Sequence, residues 1–491
     1  MPLENLFYYG TKGDLNHLIF DNVDASIWDS PSFCELGPLE EVKVFEMSTD
    51  RCIVFSQDHQ DDLTDCHCAV YPSTYPLTYT MCYRKFLQKN IPNLVSLELK
   101  NIWFWDLDEV IPQLTRLHLK YTTDDDIKDN MKDLLLNIYG GASDMTSKMQ
   151  SFELSSSVVL NSCHSVGLLS AVRQYEKLEE LRIDADFMSG NDRSVNMFSN
   201  CVMQLHHLKT VALTFSSSQF DNDALVTVMA VLASRSRQLE EFEKLELIWR
   251  PRFFGAQFRT SFPSSENNRT IISALTGCQL KEVIMPVRER DQLHHVLFDL
   301  IGNNNCMLER LEIDYQSTNR DSLRIDRTFP DNLGTFQEWI LAALRHNRKL
   351  KSFVFFNVFY QFLRVFNNRF GQQLEEVLWD KTSLQSTIES NHSLCQLSLC
   401  YRDNFHITQT CRLSRNIQTA LILNDKEHSC MQKVFRSPYV IEAKQFYLPR
   451  TVLPAALAFV GSEEFKPHIL EPSVRKPIYA MLSAWMGELF D

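Results

Sequence analysis

The densest group of side chains that could ligate a metal lies between His59 and Cys68. This decapeptide contains two histidines, three aspartates and two cysteines. Thiolates and imidazoles are zinc ligands, but a structural zinc site normally pairs cysteines across two or more residues and adds a second pair downstream. Here one residue separates the two cysteines and Cys82 is the lone further candidate, so we interpret the segment as a polar loop.

Two histidine pairs and one acidic run give no stronger signal. The pairs His206-His207 and His294-His295 cannot bind one metal ion, because adjacent residues of a helix or strand diverge. The run Asp124–Asp126 precedes a predicted helix, where carboxylates favour the positive end of the helix dipole, so a solvated helix start is preferred to a calcium site. The sequence contains no glycine-rich phosphate loop, nucleophile elbow or zinc-protease helix. We therefore predict no catalytic residue, no metal site and no cofactor.

Charge and hydropathy narrow the class of partner. The 491 residues carry a net charge of −13, whereas a protein that neutralises phosphates needs a basic surface, so nucleic acid is not expected as partner. No signal peptide is visible, and the longest apolar run, around Ala224–Ala233, is too short to cross a membrane. The 13 scattered cysteines are typical of reduced thiols. These features predict a cytoplasmic or nuclear protein without membrane contact.

One short pattern recurs along the chain: an apolar residue, two variable residues, an apolar residue, one variable residue and an apolar residue. Alternate residues of a strand share a face, so the last two apolar positions predict a strand with one buried face, and the residue between them points outward. The apolar triplets are Leu94/Leu97/Leu99, Leu114/Leu117/Leu119, Met149/Phe152/Leu154, Leu178/Leu181/Ile183, Leu208/Val211/Leu213, Phe242/Leu245/Leu247, Leu280/Val283/Met285, Leu308/Leu311/Ile313, Leu350/Phe353/Phe355, Leu374/Val377/Trp379 and Leu394/Leu397/Leu399, with weaker copies at Leu39/Val42/Val44 and Ile417/Ala420/Ile422.

Between these predicted strands the apolar spacing changes to three and four residues, which is typical of amphipathic helices. The predicted helices are Asp126–Tyr139, Ser165–Tyr175, Asp223–Ser234, Asp291–Ile301 and Phe336–Arg345. A strand and a helix in each unit of roughly 20 to 40 residues is the plan of a leucine-rich repeat.

The chain resembles the ribonuclease-inhibitor-like branch of the leucine-rich-repeat superfamily and is similar to the repeat halves of F-box proteins. The resemblance implies an α/β solenoid with a curved parallel sheet on its concave face and helices on its convex face. It covers residues 94–423. Residues 1–93 are interpreted as degenerate repeats or an N-terminal cap, and residues 424–491 as a helical C-terminal cap with helices at Leu453–Val460 and Ile478–Phe490.

Two features depart from the family pattern. The asparagine that usually follows the strand and hydrogen-bonds the neighbouring turn is mostly missing, and Asn101 and Asn357 are the nearest candidates. The Leu-Pro start and helical run of an F-box are not visible in the N-terminal part of the chain. We therefore expect an irregular arc of uneven repeats.

A binding site must use the outward positions of the strands, because the inward residues are assigned to the core. The early strands are locally basic at Arg116, His118 and Lys120. Later strands are predicted to expose apolar side chains at Ile248, Ile284, Val354, Phe356 and Leu378. An exposed cluster of Val354, Phe356 and Leu378 on neighbouring strands would mark a protein-binding surface, unless a loop or the C-terminal cap covers it.

The sequence thus predicts a non-enzymatic scaffold that binds a protein partner through its concave face, with Phe356 as the main anchor and no small-molecule substrate. A substrate receptor of a ubiquitin-ligase complex is one alternative, and it would need an adaptor-binding helix pair before Leu94. A GTPase-activating repeat protein is another, and it would need an arginine or asparagine at a strand end.

Overall fold

The structure is a computed structural model that describes a series of separate segments of the chain. The chain divides into two compact units, unit 1 (residues 1–274) and unit 2 (residues 275–491). The described residues are 17–20, 43–55, 77–79, 93–103, 113–121, 148–156, 162–185, 188, 191–215, 221–238, 241–249, 251–254, 257–260, 264–287, 290–302, 307–315, 330–356, 369–402, 408–410, 413–426 and 429–436.

Several sequence-based predictions fall outside these residues. They are the polar loop His59–Cys68, the acidic run Asp124–Asp126, the helix Asp126–Tyr139, the residues Leu39, Val42 and Asn357, and the C-terminal helices Leu453–Val460 and Ile478–Phe490.

Unit 1 is a parallel sheet whose later strands alternate with helices. Along the sheet the strands follow the order β1-β2-β4-β5-β6-β7-β8-β9, with β3 also parallel to β2, and β10 and β11 form a separate antiparallel pair. The strands are β1 (His17–Phe20), β2 (Val44–Phe55), β3 (Leu77–Tyr79), β4 (Ser96–Trp103), β5 (Arg116–Tyr121), β6 (Ser151–Ser156), β7 (Glu180–Asp184), β8 (Thr210–Phe215), β9 (Lys244–Trp249), β10 (Pro251–Phe254) and β11 (Gln257–Thr260). The helices are α1 (Ser162–Val172), α2 (Asp192–Gln204), α3 (Asn222–Gln238) and α4 (Ser265–Thr276), which contains the division between the units.

Unit 2 repeats the plan. Strands β12 to β15 are parallel neighbours in sequence order, and β16 pairs antiparallel with β15. The strands are β12 (Glu282–Val287), β13 (Arg310–Tyr315), β14 (Ser352–Phe356), β15 (Gln396–Arg402) and β16 (Thr408–Thr410). The helices are α5 (Arg290–His295), which continues as a π-helix (Val296–Ile301), α6 (Pro330–His346), α7 (Arg369–Trp379), α8 (Leu384–Glu389), α9 (Arg415–Asn424) and α10 (Ser429–Arg436).

Ten of the predicted apolar triplets form the core on one face of the strands. All thirty of their side chains are buried, and the most exposed, Leu397, shows only 5% of its surface. The strand register places equivalent residues side by side, so that Leu97 pairs with Leu117 and Leu117 with Phe152. The prediction of parallel strands that alternate with helices is therefore confirmed.

Two predicted strands are helices. The triplet Leu374/Val377/Trp379 lies in α7, and the weak copy Ile417/Ala420/Ile422 lies in α9. The reason is that the strand pattern begins with a three-residue spacing, which is also a helical spacing. In α7 the buried residues Phe370, Leu374, Val377 and Leu378 follow helical periodicity, so Leu378 is buried in a helix and is not an outward strand residue.

Four predicted helices are confirmed, with longer or shifted bounds: they correspond to α1, α3, α5 with its π-helical continuation, and α6. Within α5 and its π-helical continuation, Leu293, Val296, Leu297 and Leu300 form a buried stripe. At the end of the π-helix a Cβ atom on Gly302 would lie 2.7 Å from the carbonyl oxygen of Phe298, so a larger residue would force the turn to move. None of the helices in the described part of the chain is long and apolar enough to cross a membrane.

A pair of backbone hydrogen bonds fixes the start of most strands. The N–H groups of Thr115 and Arg116 both donate to the carbonyl oxygen of Val95, at 2.8 and 3.3 Å. Among the described residues the same two-to-one arrangement occurs on the carbonyls of Lys43, Val95, Thr115, Gln150, Glu179, Lys209, Lys281, Glu309 and Lys351. Each strand thus begins at a fixed point relative to the preceding one, and the outward side chains of neighbouring strands are aligned.

Candidate functional site

The polar face of unit 1 consists of the side chains that alternate with the buried apolar residues along β4 to β9. The parallel register aligns them in three rows across the strands. The first row is Ser96, Arg116, Ser151, Glu180, Thr210 and Lys244; the second is Glu98, His118, Glu153, Arg182, Ala212 and Glu246; the third is Lys100, Lys120, Ser155, Asp184, Thr214 and Ile248. The rows carry five acidic and five basic side chains, so this face has no large excess of either charge.

At the β7–β9 end of the polar face, Arg182 is fully engaged by two carboxylates. Its Nε donates to Glu180 Oε1 at 2.6 Å, and Nη1 and Nη2 donate to the two oxygens of Glu246 at 2.6 and 3.3 Å. Burial opposes the charge of this guanidinium, but Glu246 and Glu180 outweigh burial and raise the pKa of Arg182 above its ordinary value. Lys244 Nζ lies 2.7 Å from Glu246 Oε1 and completes the cluster.

The pair of Arg182 and Glu246 spans two strand spacings, because β8 lies between β7 and β9. Neighbouring strands are about 4.8 Å apart, so these two side chains must cross roughly 10 Å. The residue between them in the row is Ala212, which is buried at 1% exposure. Its small side chain leaves the space that the arginine stem occupies.

At the β4–β5 end, Glu98 is shared by two cations. Lys120 Nζ donates to Glu98 Oε1 at 2.6 Å, and Arg116 Nη2 donates to Glu98 Oε2 at 3.3 Å. Burial alone would raise the pKa of this carboxyl, but Lys120, His118 and Arg116 together lower it. Lys120 also lies 3.5 Å from Glu153 Oε2 on the next strand.

A hydrogen-bonded chain connects the two ends of the polar face. Ser151 Oγ donates to Glu180 Oε2 at 2.6 Å, and His118 Nε2 lies 2.8 Å from the same Oγ. Since the single serine hydrogen goes to Glu180, we assign the His118 proton to Nε2, which leaves Nδ1 to accept from Arg116 Nη2 at 3.2 Å. The chain therefore runs from Arg116 through His118 and Ser151 to Glu180.

The electrostatics of His118 agree with a neutral imidazole, whose Nδ1 also lies 3.3 Å from Glu153 Oε2. Its side chain is buried, with 3% exposure, and burial together with the nearby Arg116 lowers its pKa to about 4. A serine is activated as a nucleophile when a base accepts its proton. With this assignment Ser151 donates to a carboxylate while His118 donates to Ser151, so the trio orders these side chains.

The predicted basic residues and one predicted apolar residue lie on this face. The side chains of Arg116 and Lys120 are 46% and 30% exposed, and Ile248 is 37% exposed. His118 occupies an outward strand position, as predicted, but its side chain is buried between its neighbours. Accessible chemistry on the polar face is thus concentrated at Arg116 and Lys120 at one end and at Ile248 at the other.

The predicted apolar cluster of Val354, Phe356 and Leu378 does not form. Val354 is buried at 6% exposure and pairs with Ser398 on β15, while Leu378 belongs to α7. Phe356 is half-buried and pairs with Asp314. The prediction was wrong because α7 was taken for the strand next to β14, and that neighbour is β15.

Ile284 does not join these residues either. It is half-buried on β12, and Glu312 on β13 stands between it and Val354 in their row. The outward positions of unit 2 therefore alternate between apolar and polar residues across the strands.

Unit 2 places its polar network in the turns before its strands. Asn391 Oδ1 accepts the N–H groups of Ser393 and Leu394, both at 3.0 Å, and its Nδ2 donates to the carbonyls of Leu344 and Asn347 at 2.8 and 3.0 Å. Asn347 Oδ1 accepts from Lys349 and Leu350, and its Nδ2 donates to the Ile301 carbonyl. Asn424 Nδ2 donates in turn to the carbonyls of Asn391 and Leu394. We call Asn347, Asn391 and Asn424 the asparagine ladder.

A buried lysine closes the end of the asparagine ladder. Lys433 on α10 is fully buried, and its Nζ donates to the carbonyls of Leu378 and Asn391. Burial lowers the pKa of Lys433 to about 7. The neighbouring Cys430 thiol is half-buried, and desolvation raises its pKa to about 11. Because the amine is sealed from solvent and its donors serve backbone carbonyls, this cluster holds α10 in place and offers no surface to a ligand.

The asparagine ladder was not predicted, because in the family pattern the asparagine follows the strand. The structure places Asn347 and Asn391 before a strand, three positions ahead of the first apolar residue at Leu350 and Leu394, and Asn424 at the end of α9. On the polar face, the alternation of acidic and basic residues at equivalent strand positions was the available signal. No group of three or more potential metal ligands occurs among the described residues.

Comparison with known proteins does not assign the chain to a family. No protein-family model matches the chain, and a search of the curated proteins finds no match. A function must therefore be argued from the geometry of the polar face itself.

Proposed function

We propose that this chain is a non-enzymatic leucine-rich-repeat scaffold that binds a protein partner through the polar face of unit 1. The observation that carries the proposal is that this face is ordered by ion pairs across strands and yet keeps Arg116 and Ile248 accessible. Side chains that are already fixed lose little conformational entropy when a partner binds. Such a surface can therefore bind with less entropic cost than a surface of mobile lysines.

Residue type and chemistry also support a binding role. Arginine is enriched among the residues that contribute most to protein interfaces, and an accessible isoleucine adds apolar area. The nearly balanced charge favours a partner of mixed character over a uniformly charged polymer. The hydroxyl of Ser151 is occupied by Glu180, which favours a structural role over nucleophilic chemistry.

A photocrosslinker tests whether the polar face is the binding surface. Benzoylphenylalanine at Thr210, a half-buried position in the first row of the polar face, is compared with the same residue at the exposed Ala230 on α3. We expect defined protein adducts from position 210 that disappear when Arg116→Gln and Ile248→Asp are added, and none from position 230. Adducts that form equally at both positions, or that survive both substitutions, would contradict the proposal.

A further inference from the structure

Three aromatic side chains form a row on the helices of unit 2. The ring centroids of His294 and Phe298 lie 4.6 Å apart in an edge-to-face arrangement, and those of His294 and Trp339 lie 4.5 Å apart. His294 and Phe298 belong to α5 and its π-helical continuation, whereas Trp339 belongs to α6. We call these three residues the aromatic row. It runs from one helix to the next, with His294 in the middle.

Phe298 is the most exposed member of the aromatic row. Its surface is 52% exposed, whereas His294 and Trp339 are half-buried and the neighbouring Leu297 and Leu300 are buried. Among the large hydrophobic residues that the structure describes as exposed, Phe298 is the one with an aromatic ring. A single exposed apolar residue is normal on a protein surface, but contiguous rings on two helices form a patch.

Carboxylates stand next to both ends of the aromatic row. Asp299 follows Phe298 and its side chain is 50% exposed, and the exposed Glu338 precedes Trp339. His295 Nδ1 lies 4.0 Å from Asp299 Oδ2 and opposes that charge only when the imidazole is protonated. In all, α5 with its continuation and α6 carry four acidic residues and two arginines. The patch therefore combines aromatic rings with an excess of negative charge.

This combination favours a cationic occupant. The face of an aromatic ring attracts ammonium and guanidinium groups, and the chain itself contains such a pair, with Lys381 Nζ 4.4 Å from the centre of the Trp379 ring. An anion would be repelled by Asp299 and Glu338, and a purely apolar group would gain nothing from them. Lysine and arginine side chains match both features, because each has an apolar stem and a charged end.

We infer that the aromatic row is a second binding surface, which receives a lysine or arginine side chain from a basic segment of a protein partner. The cationic group lies over the ring of Phe298 with Asp299 as its counter-charge, and the stem packs along the row. The aromatic row shares no residue with the polar face of unit 1, so the inference does not depend on the proposed function.

Fluorination of Phe298 tests the inference, because fluorine withdraws negative charge from the ring face while the ring keeps its shape and apolar surface. Random dodecapeptides displayed on phage are selected on the intact protein, counter-selected on Phe298→Ser and then synthesised. Their affinity is measured for the protein with mono-, di- or trifluorinated phenylalanine at position 298. We expect peptides that contain lysine or arginine, and an affinity that falls stepwise by roughly 3- to 30-fold in total.

Matched changes in the peptide and in the protein separate the ring from its apolar area. Replacing the peptide lysine by norleucine, or the arginine by citrulline, should weaken binding to a similar extent, and fluorination should then have almost no further effect. Phe298→Leu keeps an apolar side chain without a ring and should bind as weakly as Phe298→Ser. The control is Val226→Ser, which removes an exposed apolar side chain from α3 in unit 1 and should bind like the wild-type protein.

Three outcomes would overturn the inference. Selected peptides without a cationic residue, or an affinity that rises with fluorination, would make the aromatic row an apolar site. Full binding by Phe298→Leu would show that the ring face is not used. A selection that yields no peptide dependent on position 298 would leave the row without a binding role. None of these results bears on the polar face, which photocrosslinking from position 210 tests separately.

Discussion

Unit 1 and unit 2 place their polar side chains in different parts of the same repeat. In unit 1 the N–H group that closes the turn before a strand donates to a backbone carbonyl: Leu178 N–H to Tyr175 and Leu208 N–H to Leu205. In unit 2 the equivalent N–H of Leu394 donates instead to the side chain of Asn391. The asparagine side chain is then free to bond the preceding turn with its other end.

The two polar networks therefore differ in how much they contribute to stability. The backbone bonds at the strand starts are the same in both units, so the repeat itself does not require either polar network. Unit 2 uses buried amides, which contribute to stability because an unsatisfied backbone group would be costly. Unit 1 uses ion pairs on the polar face, where they are partly exposed and contribute less to stability. Under the proposed function they orient groups for a partner.

The largest expected effect comes from breaking the asparagine ladder with Asn391→Ala. The substitution removes five side-chain bonds and leaves buried backbone groups of Leu344 and Leu394 without these partners. We expect a loss of about 3 to 5 kcal/mol in the free energy of unfolding of unit 2, measured by hydrogen exchange in peptides from β14 and β15.

The control is Asn416→Ala, which removes an exposed amide that bonds Glu375. It should change stability by no more than about 0.5 kcal/mol. Equal effects of the two variants would mean that the ladder is not the stabilising element of unit 2.

The pH dependence of stability, which Lys433 controls in unit 2, also distinguishes the two units. Since burial lowers the pKa of Lys433 to about 7 from the 10.5 of a free lysine, the unfolded chain binds more protons than the folded chain between these values. The stability of unit 2 should therefore rise with pH over this window, by up to about 1.4 kcal/mol per pH unit. Lys433→Met should remove this rise, which amounts to about 3 kcal/mol between pH 7.5 and 9.5.

The matched control is Lys426→Met, which removes an exposed lysine from the same region of the chain. A wild-type slope that persists in Lys433→Met would assign the titration to another group. In unit 1, Arg235 takes a comparable place, with Nη2 donating to the Leu205 carbonyl. A guanidinium keeps its charge over this range, so unit 1 should show no such slope.

The core could be predicted from the sequence because ten triplets share one spacing that fits a strand with one buried face. The failures at Leu374 and Ile417 have one cause: the first interval of the triplet is three residues, which a helix also produces. Flanking residues distinguish a strand from a helix. In α7, Phe370 lies four residues before Leu374 and extends the helical spacing of the buried residues. Spacing alone cannot separate a strand from a helix when a single triplet is considered.

The candidate site could be predicted only as a set of outward positions. Arg116, His118 and Lys120 were recognised as a basic group, but the ion pairs that neutralise them join residues 18 to 33 positions apart. Such pairs depend on the register between strands, which could not be predicted from the sequence. The predicted exposure of Val354 and His118 was wrong for a related reason. Both side chains are covered by neighbours that lie beside them only in the folded chain.

The smallest expected effect is the pH dependence that His118 gives to unit 1. The pKa of His118 in the folded protein is about 4, below the 6.5 of a free histidine, so the unfolded chain binds more protons between pH 4 and 6.5. The stability of unit 1 should therefore fall as the pH drops through this window, by about 3 kcal/mol in total, and stay constant above it. Hydrogen exchange in peptides from β5 to β7, corrected for the intrinsic rate, measures this change.

The substitution His118→Gln should flatten the profile, whereas His206→Gln, at an exposed histidine, should leave it as in the wild-type protein. Protonation of Nδ1 also removes the acceptor that holds Arg116 Nη2. Photocrosslinking of a partner from position 210 should therefore weaken over the same range in the wild-type protein and not in His118→Gln. If both proteins lose crosslinking in parallel, the acid sensitivity belongs to another group, and His118 only fills space between Glu98 and Glu153.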